Sequence, residues 1–411
     1  MKKEPNAPER ARKKGKRKPW IRWRHRLVTK ILYFTLGIYT RMRYHVRVEK
    51  FRESERRNYL ILFNHQTAFD QFFVGMSFRD PVYYVASEDI FTKGWVSKLI
   101  KFLVAPIPIK KQSTDVSAVM NCLRVAREGG SVAMAPEGNR TFSGRTGYMN
   151  PAVAPLARKM GLPILLYRIE GGYAVHPRWS DDVRNGKMRA YVSRVIEPEE
   201  YKGMTDAELA EQIERGLYVD ESGAVCEIKH SRRAEYLERA LYVCPYCGLS
   251  ELHSEGSNLE CLGCHRRVSV GTDMTLTGEG FDLPFSSVGE WYDYQCDYVN
   301  GLDVDSLGDA PLHTARGTLW EVIPYKKRVE LASDAEISLW RDRITVGEQT
   351  MPFDSVSVVT VLGRNKLNIY LGDKVYQIKC DKRFNALRYM NLFYRYRNAK
   401  NENGNDKFLG L

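Results

Sequence analysis

Between residues 59 and 197, short runs of consecutive apolar residues alternate with longer amphipathic stretches. The runs contain too few polar positions to expose one face to water, which is typical of strands buried on both sides of a sheet. Strands that alternate with helices predict an α/β layer, in which a mostly parallel sheet is flanked by helices. We expect its strands at residues 59–63, 82–86, 131–135 and 163–169.

Three helices are predicted around these strands. Residues 113–128 carry apolar side chains at helical spacing and are followed by two glycines, a common helix end. Residues 151–160 have a proline near the start and a glycine just beyond the end. Thr205 and Glu208 have the spacing of a capping box, which predicts that a helix begins there.

A second, β-rich segment begins at about residue 312. Its short runs of strand-forming residues are separated by turn residues, and one helical stretch, Arg383 to Arg397, follows them. We therefore expect a small barrel or sandwich at 310–400, capped by that helix. This arrangement is similar to pleckstrin-homology-like domains at the level of fold, which implies no ligand.

The formal net charge of +13 is concentrated in residues 1–30, which hold thirteen Lys and Arg against two acidic residues. Trp20 and Trp23 precede an apolar stretch at 27–39 that is shorter than the roughly 20 residues of a spanning helix. No small-residue cleavage site follows it. We expect residues 1–50 to form a basic tail and an interfacial membrane helix. A core helix with a solvated tail, or a nucleic-acid-binding tail, is the alternative.

Four of the eight cysteines have the spacing C-x2-C-x13-C-x2-C, namely Cys244, Cys247, Cys261 and Cys264. Paired knuckles of this kind predict a structural Zn²⁺ site, here a zinc ribbon at 240–272, with no open position for catalysis. Rubredoxin-like iron and disulfides are the alternatives. We expect the ribbon to brace a domain at 51–235 against the β-rich segment. The other cysteines are scattered singly, as in a reducing compartment, which favours the cytoplasmic face of a membrane.

The segment FNHQTAFDQF, residues 63–72, contains the strongest candidate for catalysis. On one helix, His65 and Asp70 would lie about 140° apart. They can meet only if His65 lies in a turn and Asp70 reaches back from the first helical turn, with Thr67 as the expected N-cap. His65 could then act as a general base held by Asp70. A capped helix with an incidental histidine is the alternative.

A second candidate is APEGNRTFSGR, residues 135–145, which follows a predicted strand at the end where α/β sheets bind ligands. Gly138 permits close backbone approach, Arg140 offers a fork for phosphate, and Glu137 can position Arg140 or the acceptor. An ordinary turn is the alternative. Lys111, after another short apolar run, adds a further cation.

Together and in this order, these segments resemble the lysophospholipid acyltransferase family of the acylglycerol-phosphate type. The first is similar to the family's N-H-x-x-x-x-D motif, at Asn64, His65 and Asp70. The second is similar to its E-G-T-R-S block, at Glu137, Gly138, Asn139, Arg140 and Thr141. Residues 161–167 are similar to its fourth block, without the second proline. Lys111 and Asn139 stand where the family usually has Arg and Thr, departures that bear on the acceptor head group.

The resemblance implies acyl transfer from an acyl thioester, carried by CoA or an acyl-carrier protein, to the free hydroxyl of a lysophospholipid such as lysophosphatidic acid. His65 and Asp70 would be catalytic, and the substrate would be bound by Asn64, Lys111, Glu137, Gly138, Asn139, Arg140 and Thr141. No G-x-S-x-G elbow is present, so a covalent acyl-enzyme is not expected. Membrane lipids are the expected partners, and nucleic acid is not. A different lyso- or amino-lipid acceptor and an inactive, membrane-docked zinc scaffold are the alternatives.

Overall fold

Seven strands form a single sheet in the first half of the chain. This computed structural model describes residues 18–52, 57–87, 90–91, 94–109, 115–221, 223, 226–323 and 328–400. The strands are β1 (Val46–Val48), β2 (Leu60–Phe63), β3 (Val82–Ser87), β4 (Ile107–Ile109), β5 (Ser131–Met134), β6 (Ile164–Glu170) and β7 (Met188–Ile196). They lie in the order β1-β7-β6-β2-β5-β3-β4. The sheet is mixed, since β6 and β7 are antiparallel whereas the other neighbours are parallel, so the mostly parallel arrangement expected from the sequence is present.

Helices pack on both faces of this sheet. They are α1 (Trp23–Tyr44), α2 (Asp70–Ser77), α3 (Trp95–Val104), α4 (Val116–Arg127), α5 (Val153–Met160), α6 (Gly172–Val175), α7 (Pro198–Lys202) and α8 (Asp206–Leu217). In β2, Leu60 and Leu62 face the core beneath α4, α5 and α8, whereas Ile61 and Phe63 face the core beneath α2. This strand is buried on both sides, which explains its unbroken apolar sequence.

The predicted helix ends are largely reproduced. Thr205 and Glu208 form the expected capping box at the start of α8. The predicted helix at 113–128 corresponds to α4, which is capped by Asp115. Helix α3 was not predicted, and the sheet begins at β1, within the segment assigned to the tail.

The cysteine-containing segment folds as small antiparallel units. A short hairpin comprises β8 (Val243–Cys244) and β9 (Gly248–Leu249), and a four-stranded sheet follows it in chain order: β10 (Leu252–Glu255), β11 (Asn258–Cys261), β12 (Arg267–Val270) and β13 (Leu276–Gly278). Next comes α9 (Val288–Asn300), which was not predicted. Its start is fixed by Ser287, whose side chain accepts a hydrogen bond from Glu290 N.

The last segment is a curled, antiparallel half-barrel. Its strands are β14 (His313–Val322), β15 (Val329–Leu339), β16 (Arg343–Val346), β17 (Gln349–Pro352), β18 (Val356–Leu362), β19 (Lys366–Leu371) and β20 (Lys374–Cys380), followed by the helix α10 (Ala386–Lys400). They lie in the order β17-β16-β15-β14-β20-β19-β18, and α10 packs against β18 and β19. The predicted strands and terminal helix are therefore present.

One hydrophobic core joins the two halves of the molecule. Phe142, Tyr173 and Trp179 of the first half pack in the same buried cluster as Cys244 and residues of the half-barrel. The half-barrel is thereby held against the loops at the end of the first sheet. Among the helices that the structure describes, none combines the length and apolarity needed to cross a bilayer.

Candidate active site

His65 and Asp70 meet where β2 gives way to α2. His65 lies in the turn, Asp70 is the first residue of the helix, and His65 Nδ1 is 2.8 Å from Asp70 Oδ2. The Asp70 side chain is completely buried, whereas the His65 side chain is 24% exposed. The imidazole therefore connects a buried carboxylate to the outside, in the arrangement that the five-residue spacing requires.

Three further hydrogen-bond donors hold the Asp70 carboxylate. Gln66 N and Thr67 N donate at 2.7 and 2.9 Å, and Thr67 Oγ1 donates at 2.7 Å. The prediction that Thr67 caps the helix is wrong, because the turn continues to Phe69, which occupies the N-cap position. The Thr67 hydroxyl binds the carboxylate instead, so it helps to fix the group that orients His65.

The carboxylate also determines the tautomer of His65. A carboxylate can only accept, so the neutral imidazole carries its proton on Nδ1 and leaves the Nε2 lone pair free. Nε2 can then take a proton from a hydroxyl, and Asp70 can stabilise the imidazolium that results.

Glu137 holds the turn that carries His65. Its two carboxylate oxygens each accept a backbone hydrogen bond at 2.7 Å, one from His65 N and one from Gly147 N. Burial raises the pKa of Glu137 to about 8, although both hydrogen bonds act in the opposite direction. The sequence predicts that Glu137 positions Arg140 or the acceptor, and in the structure its oxygens hold the histidine turn and its own loop.

Asn64 and Thr141 also hold the backbone in place. The buried Asn64 amide donates to Ile169 O and accepts from Ile169 N, both at 2.8 Å, and so fastens the end of β2 to the end of β6. Thr141 N donates to His65 O, and Thr141 Oγ1 accepts from Gly144 N. The Asn64 side chain is thus enclosed and holds the backbone in place, whereas the sequence predicts that it binds the substrate.

Gly138, Asn139 and Arg140 form the accessible part of the second loop. Gly138 has a φ of +67°, and no described atom lies within 4 Å of where a Cβ would stand, so there is space beside its backbone. Burial lowers the pKa of Arg140 to about 10, while the charge of nearby Asp70 acts in the opposite direction. Asn139 and Arg140 line a cavity of about 100 Å³. Lys111 lies outside the described residues.

Residues 45–169, which include both loops, match the family model described as Acyltransferase. This part of the chain is therefore similar to acyltransferases. It is 25% identical over 137 residues to a chloroplastic 1-acyl-sn-glycerol-3-phosphate acyltransferase of Brassica napus, covering 32% of this chain and 39% of that protein. It is 23% identical over 185 residues to a chloroplastic enzyme of the same description from Arabidopsis thaliana, covering 43% and 50%.

The chain therefore spans half or less of the length of these two relatives. A solved structure, the 1-acyl-sn-glycerophosphate acyltransferase PlsC from Thermotoga maritima, is 18% identical and covers 47% of this chain and 93% of its own, with a TM-score of 0.35. A structural similarity with so low a TM-score carries no argument about the fold of this chain.

The acyltransferase domain has further polar neighbours that the sequence did not reveal. Tyr44 and His176 are buried and hydrogen-bonded to each other, and Arg364 of the half-barrel bonds the same histidine. These residues come from distant parts of the chain. No local pattern marks them, so only the folded chain brings them together.

The four cysteines outside the acyltransferase domain fit a tetrahedral metal ion. Their sulfur atoms all lie within 4.8 Å of one another. Cys244 Sγ is 3.7 Å from Cys264 Sγ, and Cys247 Sγ is 3.4 Å from Cys261 Sγ. A tetrahedral zinc ion with bonds of about 2.3 Å requires sulfur atoms roughly 3.8 Å apart. The geometry and the four thiol donors therefore match such an ion.

Proposed function

We propose that this protein transfers a fatty acyl group from an acyl thioester to the free hydroxyl of a lysophospholipid such as lysophosphatidic acid. The observation that carries this proposal is the contact between His65 and the buried Asp70 carboxylate beside Arg140, within a domain of the acyltransferase family. The printed names of the two plant relatives support a glycerol phosphate acceptor.

The chemistry follows from the free nitrogen of His65. Nε2 takes the proton of the acceptor hydroxyl while the hydroxyl oxygen attacks the thioester carbonyl. The carbon–sulfur bond then breaks, and the imidazolium returns the proton to the departing thiolate, which leaves an ester and a free thiol. Asp70 stabilises the imidazolium between the two steps. The donor is acyl-CoA or an acyl-carrier protein, and alignment of hydroxyl and thioester contributes alongside the base.

We assign binding of the acceptor phosphate to Arg140, because its guanidinium suits phosphate oxygens and lies close to Asp70. Lys111, Gly138 and Asn139 complete the acceptor site in this proposal. Glu137, by contrast, acts indirectly by holding the loops of the site, because its oxygens accept hydrogen bonds from the protein backbone.

We further propose that the protein works while docked on the cytoplasmic face of a membrane. An apolar stripe runs along α1 at intervals of three or four residues and is exposed at Trp23, Leu27, Ile31, Phe34, Ile38 and Met42. Helix α3 packs beside α1 and exposes Trp95, Leu99 and Phe102. We call these nine side chains the interfacial face. A continuous apolar face of this kind on a soluble monomer would be costly, and immersion among lipid head groups removes that cost.

Cations surround the interfacial face, as expected for contact with anionic lipids. The Arg24 guanidinium lies 4.0 Å from the centre of the Phe102 ring and joins α1 to α3. A groove of about 360 Å³ beside α1 is lined by apolar side chains and by Lys30, Arg41, Lys50 and Arg79. Stable membrane binding needs two contributions, which here are the apolar area that enters the membrane and the basic side chains beside it.

The cysteine-containing segment is proposed to be a structural support that braces the first half of the chain against the half-barrel. Four thiolates would hold a structural Zn²⁺ ion, which supports a zinc ribbon. Arg388 of α10 donates to the Glu251 carboxylate and to Ser250 O, beside that site, so the ribbon is fastened to the half-barrel. The meander β14–β17, followed by β18–β20 and a terminal helix, supports the pleckstrin-homology-like assignment.

A panel of acceptors tests the proposed reaction. Purified protein is incubated with radiolabelled acyl-CoA or acyl-carrier protein in vesicles that contain one lysophospholipid each, with an amino-lipid as a further acceptor. We expect labelled diacyl product, with lysophosphatidic acid as the preferred acceptor. If only a lipid with another head group accepts the acyl chain, that lipid replaces lysophosphatidic acid as the proposed acceptor. If no lipid accepts it, the inactive scaffold is favoured.

A further inference from the structure

A hairpin of the half-barrel is fastened directly to the loop that carries Arg140. The side chain of Arg178, which follows α6, is buried and donates three hydrogen bonds to carbonyl oxygens: to Arg140 O at 2.8 Å, to Val361 O at 2.7 Å and to Gly363 O at 2.8 Å. Val361 and Gly363 lie at the turn between β18 and β19. Arg364, the next residue of this turn, is therefore held at the edge of the acyltransferase site.

Arg364 ends in a polar cluster with His176 and Tyr44. Arg364 Nη2 is 3.0 Å from His176 Nε2, and His176 Nδ1 is 3.1 Å from the Tyr44 hydroxyl. A guanidinium only donates, so Nε2 must accept and Nδ1 must carry the imidazole proton. Nδ1 then donates to the Tyr44 oxygen. The Tyr44 hydroxyl can then donate its own proton to a further acceptor.

The guanidinium groups at this cluster share their nearby carboxylates with other groups. Burial, with the charges of Arg364 and Arg140, lowers the pKa of His176 to about 3, so the imidazole is neutral. Asp181 lies 3.4 Å from Arg364 but is bonded more closely to Arg239, at 2.8 Å.

The Asp70 carboxylate is already taken by His65 and its own turn. Arg364 Nε is buried and has no partner in the part of the chain that the structure describes, although the side chain as a whole is 35% exposed. Two guanidinium groups in such surroundings favour an anion.

We propose that Arg364 and the Tyr44 hydroxyl, together with Arg140, bind the phosphate of the acceptor, so that the half-barrel contributes a specificity residue to the acyltransferase site. This inference rests on the proposed function and deepens it. A phosphate monoester offers several acceptor oxygens, which suits two guanidinium forks and one hydroxyl. Acceptors without a phosphate would leave both forks unpaired, so the enzyme would discriminate against them.

Binding of glycerol 3-phosphate, a soluble phosphate monoester, tests the site without catalysis. Calorimetric titration of the full-length protein is compared with that of Arg364→Ala and Arg364→Lys. We expect Arg364→Ala to weaken binding about tenfold or more, the effect of losing a charge-assisted hydrogen bond. Arg364→Lys should recover part of the affinity, because the charge returns without the fork. Equal affinities, or no binding to the wild-type protein, would overturn the proposal.

Two controls separate binding from domain docking. Arg316→Ala removes the same charge from an exposed position of β14 and should leave the affinity within about twofold, because exposed ion pairs contribute little. Asp181→Asn weakens the ion pair that helps to dock Arg364 but keeps the guanidinium. If Asp181→Asn weakens binding as much as Arg364→Ala does, Arg364 acts only through docking and the inference is wrong.

Kinetics then identify which substrate carries the anion. We expect Arg364→Ala to raise the KM for lysophosphatidic acid about tenfold, with kcat within about twofold and the KM for acyl-CoA unchanged. A rise in the KM for acyl-CoA alone would assign the cluster to a phosphate of the donor and overturn the acceptor site. Arg364-dependent binding of glycerol 3-phosphate by a protein that transfers no acyl group would refute the proposed function and leave the anion site standing.

Discussion

At the scale of single residues, Asp70 determines which nitrogen of His65 is free. In Asp70→Asn, an amide placed with its N–H toward His65 would force the imidazole proton onto Nε2. Nε2 would then have no free lone pair with which to take the hydroxyl proton. We expect kcat to fall by about 10² to 10⁴, the range associated with general base catalysis. Initial rates of acyl transfer at saturating substrate measure this directly.

Thr67→Val is the matched control for that substitution. It keeps the shape of the side chain but removes the hydroxyl that donates to Asp70 Oδ1, while the backbone hydrogen bonds to the carboxylate remain. The rate should therefore fall by less than about tenfold, since one neutral donor is lost. An Asp70→Asn rate equal to that of Thr67→Val, at equal thermal stability, would argue against tautomer control.

Glu137 predicts a pH dependence of stability. Its pKa is raised to about 8 by burial, whereas in the unfolded chain it lies near about 4.3. The folded state binds this proton more tightly, so the stabilisation is complete below about pH 4.3 and is lost as the pH rises through about 8. Glu137→Gln cannot titrate. The wild-type protein should therefore exceed Glu137→Gln in free energy of unfolding by less at pH 8 than at pH 5, as measured by urea denaturation. A difference between the two proteins that stays constant with pH would contradict this.

Residue-scale prediction succeeded where the partners are close in sequence. His65 and Asp70 are separated by four residues, so the helical period alone showed that a turn must bring them together. The same reasoning misplaced the cap at Thr67, because the length of a turn depends on which backbone N–H groups the carboxylate takes. The partnership of Glu137 with the His65 backbone crosses 72 residues and has no local signal.

At the scale of elements, the exposed stripe on α1 and α3 leads to a test of membrane docking. Leu27→Glu with Leu99→Glu places two charges in the interfacial face and should abolish most binding to vesicles that contain anionic lipid. Leu331→Glu, the same exchange at an exposed leucine of β15, should bind like the wild-type protein. Co-sedimentation measures both. Equal binding by all three proteins would assign docking to another part of the chain.

Elements with a strong pattern were predictable, and those with mixed burial were not. The runs that became β2, β3, β5 and β6 contain no exposed residue, which explains their apolar sequences, and α8 carried its capping box in the sequence. Helix α3 was overlooked in the sequence, although its apolar residues recur at helical spacing and Trp95, Leu99 and Phe102 form an exposed stripe.

At the scale of the whole molecule, the cysteine cluster should stabilise the joint between the two halves. Cys244 and Cys261 belong to the hydrophobic core shared by the half-barrel and the loops after β6. Cys247→Ser should reduce bound zinc well below one equivalent and lower the free energy of unfolding, because metal binding is coupled to folding. Cys226→Ser, outside the cluster, should retain the metal. Elemental analysis that finds equal zinc in both variants, or none in the wild type, would contradict the assignment.

The arrangement of the two halves was beyond prediction from one sequence. Local patterns located the sheet, the cysteine knuckles and the half-barrel, but the hydrogen bonds of Arg178 to Val361 and Gly363 join residues more than 180 positions apart. Such contacts depend on how folded segments pack against each other, and this packing produces no recognisable periodicity or residue spacing in the sequence.

The most direct test is the rate of acyl transfer from labelled acyl-CoA to lysophosphatidic acid in vesicles, for the wild-type protein and for His65→Ala at equal vesicle binding. We expect diacyl product from the wild type and a rate about 10² to 10⁴ lower for His65→Ala, because that variant lacks the proposed general base. Equal rates from the two proteins would contradict the account.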